Sequence, residues 1–353
     1  SCLRLLSPTT GETLYCADLE ENEAAFSVAT CVFHDRGGEV FLLVGTAKDM
    51  TLHPRTVAGG FIRVYRFVET EESVELALLH KTAVEDVPYA MCEFNGRVLI
   101  GVGNVLRIYD MGKKKLLRKC ENRTLPTFIS GIKAVGDRVF VSDMAESVHF
   151  IKYKRGDNVL VVFADDTTPR HVVSLVVLDK DTVACGDKFG NIAVLRLPDD
   201  VTDDVDNPSS KRLIWEQGYL NGAPNKLATL CTYYVGEVVT AMECTALPGG
   251  MDCIIYTTVM GTIGALQPFA SREDYEFFAH LEVLMRKEAP SLVGRDHMSF
   301  RSYFMPVKNV LDGDLCERFA ALSHEQQTEI AETLSRKPGE VLKKLEDVRN
   351  KVI

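Results

Sequence analysis

The sequence predicts a mainly β chain built as an incomplete array of propeller blades, followed by a small α-helical domain. Three observations carry this reading. Between Pro88 and Leu197 one plan of strand-sized apolar runs is written three times. Val98, Val139 and Val183 stand at matching places, and the period of roughly 41 to 44 residues is that of a four-stranded propeller blade. Each run is rich in β-branched and aromatic residues and is bounded by Gly, Asp, Asn or Pro, the signature of strands and turns. After Pro268 the apolar spacing changes from period two to the helical period. The expected domains are therefore 1–268 and 269–353.

In chain order, Leu3–Leu6 and Thr13–Leu19 read as a hairpin around Pro8-Thr9-Thr10-Gly11. Phe26–Phe33, Val40–Val44, Phe61–Val68 and Leu76–Thr82 supply the next blade, whose second and third strands are separated by a long insert, Gly45–Gly60. The first repeat copy holds Tyr89–Phe94, Gly96–Gly101, Val105–Asp110 and Lys115–Lys119. The second holds Phe128–Val135, Gly136–Val141, Ser147–Tyr153 and Val159–Phe163. The third holds His171–Leu178, Asp181–Gly186 and Asn191–Leu197, then an acidic loop, and Leu213–Gln217 as its outer strand. A last partial blade holds Val235–Cys244, Cys253–Thr258 and Thr262–Leu266. With both ends incomplete, other parts of a longer polypeptide are expected to close the ring. The opening Ser1-Cys2-Leu3-Arg4 is likewise expected to lie in mid-strand of that longer chain.

The helical part has its own punctuation. Ser271 with Asp274, and Ser323 with Gln326, stand at capping-box spacing. Phe277, Leu281 and Leu284 share one helix face. Pro338 opens a final helix with Val341, Leu345 and Val348 on one stripe. Such amphipathic helices need a partner surface, and the propeller is the expected one.

Composition bounds the function. A hydrophobic content of 46% and a charged content of 25% are those of an ordinary globular protein. No apolar run approaches the roughly 18 residues of a membrane span. The ten cysteines are scattered and mostly lie in apolar strand runs, which fits buried reduced thiols and a reducing compartment. A net charge of −10 disfavours bulk attraction of nucleic acid, so little direct nucleic-acid contact is expected. The dense basic cluster Lys113-Lys114-Lys115 with Arg118 and Lys119 is read as an aggregation-resistant outer edge, with a nuclear-import or phosphate-contact role as the alternative. No catalytic motif, cofactor loop or metal-ligand spacing occurs. Gly101-Val102-Gly103 is expected between two strands and is read as a turn, not a dinucleotide loop. The Asp199–Asp206 run has neither the glycine nor the terminal glutamate of a calcium loop.

One stretch is recognisable. Phe300-Arg301-Ser302-Tyr303 leads to Asp312-Gly313-Asp314-Leu315, and this pair of words resembles the C-terminal signature of a triple-propeller family. That family includes the cleavage-and-polyadenylation large subunit, the damaged-DNA-binding ubiquitin-ligase adaptor and the propeller subunit of splicing factor 3b. Asn22–Ala29, Gly96–Gly103, Gly112–Asn122, Phe163–Asp166 and Asp187–Asn191 resemble the splicing branch most closely. The resemblance implies a WD40-like seven-bladed β-propeller, the third of its chain, followed by the helical domain. It implies a nuclear, non-enzymatic scaffold without cofactor. Its partners would be the HEAT-repeat subunit and the small helical subunit of the splicing factor 3b complex of the U2 snRNP, and other spliceosomal proteins. The ubiquitin-ligase adaptor and the cleavage/polyadenylation scaffold are the alternatives within the family.

Strand tracing locates the surface expected to meet those partners. Loops that join one blade to the next share a rim with the loops between second and third strands. Rigid sheets position such loops for recognition. The candidate partner-binding residues there are His53, Arg55, Thr127, Thr168, Arg170, His171, Asp187, Lys188 and Met260, with Lys308 joining from the helical side.

Overall fold

Period-two runs ending at glycine and asparagine turns fold into successive antiparallel sheets. The computed structural model describes residues 1–69, 74–201, 222–246, 252–288, 294 and 296–352. It opens with the hairpin β1 (Cys2–Leu6) and β2 (Thr13–Asp18). Next come β3 (Glu23–Val32), β4 (Val40–Lys48), a short hairpin of β5 (Thr51–Leu52) and β6 (Arg55–Thr56), then β7 (Gly59–Glu69) and β8 (Val74–Val84). The second sheet is β9 (Pro88–Phe94), β10 (Arg97–Val102), β11 (Val105–Asp110) and β12 (Leu117–Asn122). The third is β13 (Ile129–Val135), β14 (Arg138–Asp143), β15 (Val148–Lys154) and β16 (Val159–Asp165). β17 (Val172–Val177), β18 (Thr182–Asp187) and β19 (Asn191–Arg196) follow, then β20 (Asn225–Lys226) and β21 (Ala228–Tyr234). β22 (Val239–Ala246), β23 (Asp252–Thr258) and β24 (Ile263–Leu266) form a three-stranded sheet.

Three expectations change on contact with the structure. The Gly45–Gly60 insert is not a free loop, because β4 and β7 stay paired from Phe41↔Arg66 to Lys48↔Gly59 and the small β5–β6 hairpin caps them. The outer strand of the first repeat starts at Leu117, so Lys113, Lys114 and Lys115 lie in the turn before it; Leu116 is buried there. Leu213–Gln217 lies outside the described residues, and β21 takes the fourth place beside β19. β20 adds a fifth, parallel strand to β16.

The chain forms two compact units, Ser1–Leu175 with Leu197–Ala228, and Val176–Arg196 with Thr229–Ile353. In the first, one apolar core lies between the β3 and β9 sheets (Phe41, Leu43, Ile62, Val98, Ile100) and another between the β9 and β13 sheets (Leu99, Leu106, Ile108, Val139, Ile151). The second has a sheet core around Val176, Ala184, Val239 and Ile254.

Two repeated devices order the sheets, one at their third strands and one between neighbouring sheets. The third strands carry a buried arginine two residues before a tyrosine: Arg63 with Tyr65, and Arg107 with Tyr109. Arg63 donates to buried Glu23 at 2.9 and 2.5 Å, and Arg107 pairs with Glu85 and Glu121. Burial alone would raise the Glu23 carboxyl, but Arg63, Thr46 and Lys81 outweigh it and bring it to about 2. The second device is steric. Gly45, Gly101 and Gly186 stand on the second strands where the inner strand of the following sheet begins. A Cβ would lie 2.6 Å from the Pro88 carbonyl at Gly45, 2.6 Å from Ile129 Cγ2 at Gly101 and 2.7 Å from Val239 Cγ1 at Gly186. The second repeat has buried Ser142 at this place.

The helices are α1 (Arg272–Glu288), α2 (His297–Arg301), α3 (Gly313–Glu317), a 3-10 turn over Arg318–Ala321, α4 (His324–Thr333) and α5 (Pro338–Val352). Ser323 and Gln326 form a complete capping box, and the Ser271 hydroxyl accepts the Asp274 N–H at 3.1 Å. Among the described residues the apolar stripes find their partner in one another, where a sheet surface was the expected one. Phe278, Leu281, Met285, Leu315, Phe319, Ile330, Val341 and Leu345 form one core, with Val348 at its edge. Val341→Ala is expected to cost about 1–2 kcal/mol from lost burial, read as faster hydrogen exchange in α4 and α5. Unchanged exchange would show that this core does not depend on the α5 stripe. Burial raises the Cys31 and Cys316 thiols to about 12, as expected of packed, unreactive cysteines.

Candidate functional site

In the first unit the β5–β6 hairpin projects His53 and Arg55 from the end of a rigid strand pair. Both are exposed, and Arg55 is held across the loops of the next two sheets. Its Nη2 donates to Asp86 at 2.5 Å and to the Tyr89 hydroxyl at 3.3 Å, and its guanidinium stands 4.4 Å from the Phe128 ring centroid. Beneath it runs an edge-to-face ladder of Phe26, Tyr89 and Phe128, with centroids 5.6 and 5.9 Å apart. Thr127, half-buried, donates its N–H and hydroxyl to buried Asp143, which also accepts the Ala145 and Glu146 N–H groups. The structure therefore brings Arg55 and Thr127 to one continuous surface.

Arg170 is a correction. It is 3% exposed, its Nε donates to Asp166 at 2.9 Å and its carbonyl accepts the Ser147 N–H. Asp166 also accepts from the Ser147 hydroxyl at 2.6 Å and the Thr168 N–H at 3.1 Å. A loop position suggested exposure, but the nearby carboxylate draws the guanidinium inward. Arg170 shapes the loop that presents half-buried Thr168 and His171.

Asp187, in the second unit, is likewise a turn organiser, 4% exposed. Its Oδ1 accepts the Phe189 and Asn191 N–H groups at 2.9 Å and its Oδ2 the Asn191 amide at 2.8 Å. The turn pushes Lys188 and Phe189 outward, with the ammonium 5.1 Å from the ring. Its last residue, Gly190, accepts the Val235 N–H, and Val238 accepts the Val259 N–H. One short segment thus links the Lys188 turn to the turn bearing Met260, which is 77% exposed. Lys308 arrives as a strand bridge on Thr232, and its ammonium donates to the Thr229 carbonyl at 2.5 Å.

Sequence reasoning missed the main apolar feature of this end. Phe300, Tyr303 and Phe304 surround Tyr234 at centroid distances of 5.3, 5.9 and 5.6 Å, and Phe304 meets Phe189 at 5.3 Å. Phe189, Phe300, Tyr303 and Phe304 nonetheless stay 39–56% exposed. Aromatic residues of this kind are enriched at protein interfaces relative to the rest of a protein surface. The aromatic-Arg-Ser-aromatic word was this feature's only signal. Behind it Arg301 donates to the Tyr234 and Val235 carbonyls at 3.0 and 3.2 Å and to buried Asp312 at 2.7 Å.

Among the described residues, no group of three or more His, Cys, Asp or Glu is placed to hold a metal ion, and no helix is long and apolar enough to cross a membrane. Known proteins resemble the chain from end to end. Splicing factor 3B subunit 3 of Danio rerio is 52% identical over 353 residues, covering 99% of this chain and 29% of that protein. Spliceosome-associated protein 130 A of Arabidopsis thaliana is 51% identical over 356 residues, again 29% of its length. The probable splicing factor 3B subunit 3 of Dictyostelium discoideum is 51% identical, over 99% of this chain and 28% of the relative. The chain thus spans under a third of the length of these relatives. Residues 1–321 match the sequence model described as the CPSF A subunit region, and the chain belongs to that family of β-propeller proteins.

Proposed function

We propose that this chain is part of a non-enzymatic scaffold subunit of the splicing factor 3b complex. It acts in the nucleus to hold partner subunits while the U2 snRNP recognises the branch site. The observation that carries this is the similarity, about half the residues over the whole chain, to proteins named for splicing factor 3B and the spliceosome. On this reading residues 1–268 belong to a seven-bladed, WD40-like propeller, the third of its chain, and residues 269–353 form the C-terminal helical domain. The repeated four-stranded sheets and the all-helical core support that division. The partners are the HEAT-repeat subunit and the small helical subunit, and the contact residues are His53, Arg55, Thr127, Thr168 and His171 in the first unit, and Lys188, Met260 and Lys308 with the exposed rings around Tyr234 in the second.

The test is affinity purification of the tagged full-length protein from nuclei, with mass spectrometry. Splicing factor 3b subunits are the expected partners; a ubiquitin ligase or cleavage/polyadenylation factors in their place would overturn the reading. Within it, Lys188→Glu with Phe304→Ala is expected to weaken partner capture about tenfold or more, since exposed aromatics and flanking cations dominate interfaces. Lys113→Glu with Lys114→Glu, in a turn at the other ends of the strands, is expected to leave it unchanged. Equal loss from both pairs would move the contact surface elsewhere.

A further inference from the structure

The opposite loops of the first unit, those joining first to second and third to fourth strands, surround a cleft of about 350 Å3. Three successive sheets contribute to it. His34 comes from the β3–β4 turn, Arg97 and Lys119 from β10 and β12, and Tyr153 and Arg155 from the end of β15. Its apolar side is the edge-to-face pair of Phe94 and Tyr153, with centroids 5.4 Å apart.

The cations here are under-neutralised. Arg97 and Lys119 share one carboxylate, Asp110, at 3.6 and 3.8 Å, and both distances exceed hydrogen-bond reach. Arg97 Nε is buried without an acceptor among the described residues, and Nη1 stands 3.5 Å from the Tyr153 hydroxyl. Arg155 uses its Nε on Asp137 at 2.8 Å. Among the described residues, two carboxylates thus face three permanent cations, with His34 beside them, in a protein whose net charge is −10.

We propose that this cleft binds the phosphate of a phosphorylated serine or threonine on a partner peptide. A phosphoryl group carries close to two negative charges and three strong acceptors, matching donors that converge from three sheets; a lone carboxylate supplies neither. The volume is at the low end for ligand sites and holds one phosphoryl group with the side chain that bears it. A long polyanion such as RNA would be repelled by the acidic body. A short ligand responds mainly to charges within a Debye length of about 8 Å.

The test uses full-length protein and a fluorescein-labelled pool of short peptides with a central phosphoserine and randomised flanks. The phosphorylated pool is expected to bind about tenfold or more tightly than the same pool with serine. Arg97→Gln with Lys119→Gln is expected to remove that preference, through loss of charge-assisted hydrogen bonds. Lys119→Gln alone, at an exposed position, gives a partial loss without risk to folding. Lys113→Gln with Lys114→Gln, an equal charge change in the neighbouring turn, should alter binding less than about twofold. Equal binding of the two pools, unchanged binding by the cleft variants, or equal loss from both pairs would overturn the proposal. So would displacement of the peptides by single-stranded RNA at lower concentration than by unlabelled phosphopeptide.

Discussion

Gly101→Val is expected to destabilise the first unit by about 3 kcal/mol or more, the upper range for overpacking a filled interior. The backbone at Gly101 is ordinary strand, so the cost is steric. A Cβ there would lie 2.6 Å from Ile129 Cγ2 and 2.7 Å from Ile129 Cβ. Those atoms belong to a β-branched side chain at the start of β13, buried and unable to swing away. The sheets must part or β13 must shift, and either exposes the core around Leu99 and Ile108. Gly156→Ala has open space around its Cβ and should stay within about 0.5 kcal/mol of the parent. Ile129→Ala in the Gly101→Val background should recover part of the loss. A protein of several sheets does not unfold in one step, so hydrogen exchange of the β10 and β13 amides is the better readout. If Gly101→Val exchanged like Gly156→Ala, the close approach would not be what spaces the sheets.

The same glycine shows what the sequence could and could not reveal. The Val98, Val139 and Val183 repeat and the strand bounds around it are legible because period two and turn residues are local signals. The role of Gly101 is not, since its reason is a residue one sheet away. Leu213–Gln217, which lies outside the described residues, is the outer strand that nearness in sequence suggests. Ala228–Tyr234 takes the place because side-by-side strands need not be near along the chain, and Lys226, bound to Asp165, anchors the return. The Gly45–Gly60 insert looked like a loop because hairpin extension has no stronger mark than a short turn at Leu52-His53-Pro54-Arg55. At the candidate surface, loop position correctly marked Arg55, Lys188 and Met260 as exposed. It failed for Arg170 and Asp187, whose partners are Asp166 and the amides of their own turn. The aromatic surface was invisible because Phe189, Tyr234 and Phe304 come from three distant segments.

Asp312→Ala is expected to cost about 3–5 kcal/mol in the second unit, the range for stranding the partners of a buried ion pair. The Asp312 side chain is 2% exposed and accepts from His297 Nε2 at 2.8 Å and Arg301 Nε at 2.7 Å on one oxygen. The other oxygen caps α3 through the Leu315 N–H, while the Asp312 N–H donates to Glu282 on α1. Arg301 is bound to the Tyr234 and Val235 carbonyls, so the Asp312 carboxylate ties strand β21, α2 and α3 together, and its backbone N–H adds α1. The family signature therefore has a structural reason: aromatic-Arg-Ser-aromatic and Asp-Gly-Asp-Leu are the two halves of this joint. Burial tends to raise the Asp312 carboxyl, but the Arg301 charge, the Leu315 N–H and His297 outweigh it and hold it below the usual aspartate range. A folded-state value below the unfolded one contributes stability above the unfolded value of about 3.9, and loses it as the pH falls through the folded value. The gap between parent and Asp312→Ala should therefore be full at neutral pH and narrow only on acidification below about 4. Asp312→Asn keeps an acceptor for the cap but loses the charge, and should fall between the two. The expected signature in Asp312→Ala is joint loss of protection in α2, α3 and β21 at neutral pH. Parent-like exchange there, or a gap that widens on acidification, would refute the assignment of Asp312 as the joint between the strand and the helices.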